Sequence, residues 1–158
     1  MKKYLSVIPL VFLLCFVVSC QDKAAIAERE GQIIQGVNAK MDGLINAVKD
    51  LEINQILSIY SNNVTVIDQA TIIPSPDEFR ADYKAAIEMF TKVEHCQLVN
   101  RHIHVLSEDA AVFFSEIEQK LVLASGEMVD ASGAMTAVFK YSEGDWKIIH
   151  LHSSHPTS

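Results

Sequence analysis

The apolar residues of this chain change their spacing once, at about Lys92: before it they recur every three to four residues, and after it they alternate. From Ile26 the apolar positions are Ile33, Ile34, Val37, Met41, Leu44, Ile45 and Val48, the stripe of a long amphipathic helix that Gly31, Gly36 and Gly43 weaken locally. Leu51, Ile53, Ile56, Leu57 and Tyr60 predict a second, short helix that ends at the turn residues Ser61 to Asn63, followed by a short strand over Val64 to Ile67. At "SPDE", Ser75 is an N-cap, Pro76 the first helical residue and Glu78 the N3 partner, so a third helix starts there with Phe79, Tyr83, Ala86, Ile87 and Phe90 on its apolar face. Beyond Lys92 four β-type runs follow, Val93 to Leu106, Ala110 to Leu123, Glu127 to Tyr141 and Trp146 to Ser154, joined by connections short enough for hairpins. Helices first and strands second predict an α+β domain, three N-terminal helices packed on a bent antiparallel sheet. With 158 residues, 49% of them hydrophobic, the chain suits one domain with its own core.

The first residues, "MKKYLSVIPLVFLLCFVVSC", carry two lysines, then an apolar run from Leu5 to Val18 that is short for a permanent membrane span. The run ends in Val17-Val18-Ser19-Cys20, which resembles the bacterial lipobox. Residues 1–19 are therefore expected to be a lipoprotein signal peptide, Cys20 the lipidated residue, residues 20–27 a tether and residues 28–156 the domain. Acyl chains would hold the protein at a membrane by their buried methylenes. Gln21 after the cysteine favours, by the sorting rule this resembles, the outer membrane of a bacterial cell envelope, on its periplasmic or surface face.

Loss of residues 1–19 removes Lys2 and Lys3 and no acid, so the formal charge moves from −7 to −9. That balance, without a basic cluster, excludes a phosphate-backbone partner. Cys96 then has no partner for a disulfide within the chain, and its alternating surroundings predict a buried small hydrophobe. "NVT" at Asn63 matches a glycosylation sequon that the bacterial leader makes incidental. No Gly-rich phosphate loop or repeat is present, and no cofactor is expected.

The element order, together with "NRHIHVLSEDAAVFF" and "GDWKIIHLHSS", resembles the SnoaL-like branch of the nuclear transport factor 2 superfamily, and within it the association (hub) domain of calcium/calmodulin-dependent protein kinase II. The resemblance spans about Glu28 to Pro156. It implies a cone whose bent sheet wraps the long helix, a pocket between sheet and helices, and self-association through the sheet's other face. Members include dehydratases, isomerases, cyclases and non-catalytic binders, so the pocket must decide the function. The hub domain's carboxylate-holding arginines match Ile117, Ala137 and Ser153 here, so an acidic ligand has no counter-charge. Strand alternation adds Phe113, Ser115, Met135, Phe139, Ile149 and Leu151 to that inward face, and Tyr60 and Tyr83 from the apolar helix faces complete an expected apolar lining.

Acid-base candidates that the helices and the short strand could aim at this pocket are Asp68, Tyr60, Tyr83 and Asp82, none within a matched family motif. The histidines fall in pairs, His102 with His104 and His150 with His152, each pair on one strand face. The resemblance separates the two strands and turns His150 and His152 outward, so no metal site is expected. With Glu116 and Glu118, they are expected instead on the face of a homo-oligomer, most simply a dimer. His155 reads as part of a frayed tail. The reading favoured is a membrane-anchored module that binds a small apolar ligand without catalysis. A lyase or isomerase acting on an apolar ring substrate is the alternative, and a structural assembly subunit is expected if Phe79, Phe90, Phe113 and Met135 fill the cone.

Overall fold

The computed structural model describes residues 8–156, with side chains from residue 24 onward. Its elements are helix α1 (Ile8–Lys49), helix α2 (Ile53–Ser58), strands β1 (Tyr60–Asp68) and β2 (Thr71–Ile73), helix α3 (Pro76–Glu88), then β3 (Phe90–Ser107), β4 (Ala110–Leu123), β5 (Met128–Asp130), β6 (Gly133–Ser142) and β7 (Asp145–Ser154). The expected tether continues α1 instead of forming a separate segment, and the side chains of the expected signal peptide and of Cys20 lie outside the described residues. Among the described residues no helix is long and apolar enough to cross a membrane.

One sheet in the order β2-β1-β7-β6-β4-β3, with β5 paired to β4, curls around α1. The expected α+β class holds, with two differences. The sheet is mixed, because β1 pairs in parallel with β7, and a β1–β2 hairpin precedes the third helix. The third expected run divides into β5 and β6 at Ala131-Ser132; both pieces pair with β4 in one register, and at the break the Ser132 hydroxyl accepts the Gln119 amide at 3.0 Å. Tyr60, expected on a helix, is the first residue of β1; α2 stops at Ser58 because the backbone of Ile59 already serves the sheet, its carbonyl accepting from the Ile148 amide at 2.9 Å.

The buried face of α1 is the predicted stripe: Ile33, Val37, Met41, Leu44, Ile45 and Val48 are all buried, whereas Ile34 and Ile26 lie off it. Gly36 has a specific use, since a Cβ there would stand 2.8 Å from the Trp146 indole nitrogen, so only glycine lets that ring lie against the helix. The Ser75 hydroxyl accepts the Glu78 amide at 3.1 Å, as the capping signature predicts. Register shifts along β3 bend it, and Asn100 takes the left-handed backbone (φ 53°) at one of them, a conformation Asn tolerates. The β6–β7 turn uses Glu143 and Gly144, both at positive φ, as the mirror-image turns of tight hairpins require.

Candidate functional site

Between α1, α3 and the concave face of the sheet lies a cavity of about 380 Å³. Its walls are apolar: Met41, Leu44, Ile45 and Val48 from α1, Leu98, Ile117 and Leu121 from β3 and β4, and Phe79, Ala86 and Ile87 from α3. Of the inward face expected from sequence, Ile117, Met135, Leu151 and Ser153 line it, as do Tyr60 and Tyr83. Phe113 and Ala137 do not; both are fully buried, packed in the solid part of the core. Ser115 is buried as well, its hydroxyl donating to the Val99 carbonyl at 2.7 Å across the β3 bend, so it braces the sheet instead of facing a ligand. Ile149 does not face inward at all. The pairing of β6 with β7 slips between Val138–His150 and Phe139–Ile148, a bulge that leaves Ile149 exposed and gives the inward place to Ile148.

Polar groups gather at the mouth. The Ser153 hydroxyl donates to Asp68 Oδ1 at 2.8 Å, and His155 Nε2 stands 4.0 Å from the same oxygen. His155 belongs to the site and is no frayed tail: its Nδ1 lies 3.3 Å from the Ser132 carbonyl, and the segment crosses directly over Gly133. A Cβ on Gly133 would collide with the Ser154 carbonyl and the His155 ring. Asp82 completes the rim from α3. Sequence reasoning does not find His155 and Gln119, because both are placed by contacts with Ser132 at the break between β5 and β6, for which the local pattern carries no signal.

Deeper in, Tyr60, Phe79 and Tyr83 form an aromatic cluster, with centroids 4.9 Å apart for Tyr60–Phe79 and 5.6 Å for Phe79–Tyr83. Burial, and then the neighbouring Tyr83, push the Tyr60 hydroxyl well above the usual tyrosine range; burial, then Cys96, pushes Tyr83 up to about 12. Both therefore stay protonated and act as hydrogen-bond donors, not bases. Tyr60 is 5% exposed, and among the described residues its hydroxyl has no hydrogen-bond partner, yet it is not a sealed unsatisfied group. It is available to whatever fills the cavity. Cys96 is buried and its thiol is raised to about 11, by burial first against the opposing pull of Lys49, so it is no nucleophile.

On the convex face two cross-strand rows run from β3 to β7: His104, Val112, Val138, His150 and His102, Phe114, Thr136, His152. Glu116 and Glu118 continue the polar part of this face, taking hydrogen bonds from Asn100 at 2.9 Å and Gln97 at 2.5 Å. Three strand spacings, roughly 14 Å, separate His102 from His152, too far for both to reach one ion. Among the described residues no group of three or more His, Cys, Asp or Glu could hold a metal.

The sequence matches the family of SnoaL-like domains over residues 37–158. The chain belongs to the SnoaL-like domain family. That span covers every cavity-lining element, from the buried half of α1 to β7. No curated protein matches this SnoaL-like chain in sequence. Among solved structures it is similar to a provisionally assigned scytalone dehydratase from Novosphingobium aromaticivorans, with 10% identity, TM-score 0.75, and 83% of this chain and 89% of that one covered. It is also similar to a nuclear transport factor 2-like superfamily protein from Salmonella enterica serovar Typhimurium, with 17% identity, TM-score 0.71, and coverage of 82% and 94%. A third is a provisionally assigned calcium/calmodulin-dependent protein kinase II association domain from Xanthomonas campestris, with 19% identity, TM-score 0.66, and coverage of 77% and 86%. At such identities these likenesses establish a nuclear transport factor 2-like fold and nothing of the chemistry.

Proposed function

We propose that this SnoaL-like protein is a lipid-anchored module of the bacterial cell envelope that binds a small, largely apolar molecule in the cone and does no chemistry on it. The cavity carries this reading. Protein interiors are packed close to crystal density, so 380 Å³ of unfilled space with apolar walls is the size and character of a ligand site. The large residues that could have filled the cone leave it open: Phe79 and Phe90 form its walls and Phe113 is packed elsewhere. This supports the ligand readings over a purely structural subunit. Catalysis has weaker support, because the ionisable groups other than the tyrosines, Asp68, Asp82 and His155, all stand at the rim and none reaches the interior.

Residues 24–32 of α1 are exposed, and α1 lines the cavity only from Met41 onward. Roughly 30 Å of helix, at 1.5 Å per residue, therefore lies between Cys20 and the cavity. On this reading the mouth faces away from the bilayer. The convex face, with Phe114 between His102 and Thr136 and with His150, His152, Glu116 and Glu118 nearby, is the place we propose for contact with a second copy.

The test uses the full chain purified from membranes. Mass spectrometry should find acyl chains on Cys20, and neutral aromatic probes should raise the melting temperature, as any ligand confined to the native state must. Ala86→Trp, which fills the cavity from α3, should abolish the shift while leaving the fold intact by circular dichroism. A shift that survives this variant places binding elsewhere and overturns the reading. The Asp68, Ser153 and His155 cluster favours a lyase or isomerase as the second reading; turnover of a bound ring compound, lost in Asp68→Asn and His155→Gln, would establish it.

A further inference from the structure

We propose that the ligand of this cavity is an apolar amine in its protonated form, its ammonium held at the Asp68–Asp82 rim and its body against the aromatic cluster. This rests on the cavity being a binding site and adds the charge of what it takes. Among the described residues no lysine or arginine lines the cavity, whereas two carboxylates do. The two cations of α3 are committed elsewhere, while Lys49 at the end of α1 lies outside the lining and acts on Cys96. Arg80, on α3 beside the cavity, points its guanidinium at the carbonyls of Leu57 (3.3 Å) and Ser61 (3.1 Å), and Lys84 pairs with Glu88 at 3.8 Å. Asp68 receives one hydrogen bond, on Oδ1 from Ser153, which leaves Oδ2 open; His155, 4.0 Å from Oδ1, is the one ionisable nitrogen of the lining. Asp82 has no hydrogen-bond or ion-pair partner among the described residues.

Two rim acids alone would be a solvated surface feature. The second, independent observation is Tyr60, about nineteen-twentieths buried, lining the interior, with a hydroxyl that meets no protein partner. That hydroxyl is open and not a sealed unsatisfied group, and a ligand with a polar atom at its inner end uses it. The Tyr60, Phe79 and Tyr83 rings add faces, the side of an aromatic ring that attracts a cation and repels an anion. The protein's net negative charge, −7 for the whole sequence and −9 once residues 1–19 are removed, enriches cations and depletes anions around the mouth. An acidic ligand would meet two like charges there and no cation except a protonated histidine.

The experiment is a calorimetric titration of the full-length protein at pH 7 and low salt with three probes sharing one bicyclic body: 1-naphthylmethylamine, 1-naphthalenemethanol and 1-naphthoic acid. The expected order is amine, alcohol, acid, with the amine about tenfold tighter than the alcohol and the acid weakest, and with the gap narrowing as added salt screens the rim. Asp68→Asn and Asp82→Asn should each bring the ratio of amine to alcohol affinity toward one, and the double variant should abolish it. If alcohol or acid binds as tightly as amine, or if the double variant keeps the ratio, the charge preference is wrong while the cavity remains a binding site. If none of the three binds, the cavity reading itself fails and this proposal falls with it.

Discussion

The two ends of the cone share their strands and differ in how the space between sheet and helix is filled. At the end where α1 carries Val37 and Gly36, the interior is solid: Phe113, Phe139 and Ile148 are fully buried, and the Trp146 indole lies against the helix in the space Gly36 leaves. Its acids are paired, Asp145 with Lys40 and Lys147, and Asp109 with Lys140 at 2.5 Å. At the other end, where β1 and β7 finish, small residues such as Ala86, Ala131 and Ala134 edge an open cavity, and the acids have no lysine or arginine beside them. One end supplies stability and the other forgoes it. That asymmetry is what a pre-formed site needs, since a rigid end keeps the hollow one from collapsing.

The largest expected effect falls at the solid end. Phe139→Ala should destabilise by about 3–5 kcal/mol, because its neighbours cannot close the space. Leu121→Ala, in the cavity wall, should cost less than half as much, since one side of Leu121 already faces open volume. Urea denaturation of both variants checks this, and equal losses would break the comparison. Gly36→Ala comes next: the methyl would displace the Trp146 ring, an overpacking cost of about 1–3 kcal/mol that tryptophan fluorescence should report as a shifted emission. Gly133→Ala should cost at least as much, because its methyl would collide with the backbone carbonyl of Ser154, and it should also move Ser154 and His155 off the rim and weaken the hold on any ligand, measured by titration.

The solid end was largely readable from the sequence, and the hollow end was not. Val37, Met41 and Leu44 follow from helical spacing, and Ser75 with Glu78 from capping chemistry, because both signals are local. The SnoaL-like resemblance supplied the cone and the inward parity of Ile117, Met135, Leu151 and Ser153. Three errors share a cause. Tyr60 stands in a strand and not in a helix, Ile149 on the outer face and His155 at the rim, and each position is set by pairing or contacts that local spacing does not encode. The parallel pairing of β1 with β7 pulls Tyr60 into the sheet, the bulge opposite Phe139 turns Ile149 out, and the close crossing over Gly133 brings His155 to the mouth. A period-two pattern cannot register an extra residue in one strand, and no local spacing announces a partner 80 residues away.

The smallest expected effect separates the acids of the two ends. Burial pushes the Asp145 carboxyl up, but hydrogen bonds from Lys40 and Lys147, with their charges, outweigh it and hold the group below the usual 3.8. A carboxyl depressed in the folded state adds stability that is present above its unfolded value and is lost as pH falls through the folded one. The urea midpoint of the protein should therefore exceed that of Asp145→Asn at pH 7 and at pH 5, and the gap should close below about pH 4. Because Asp145 and Lys40 are each about a third exposed, the gap should stay near or below ~1 kcal/mol. At pH 7 Asp82→Asn should leave the urea midpoint unchanged, since among the described residues no cation pairs with Asp82. A loss in Asp82→Asn as large as that in Asp145→Asn would mean that the rim has an internal counter-charge after all, and the contrast between a self-paired end and an end that awaits its cation would disappear.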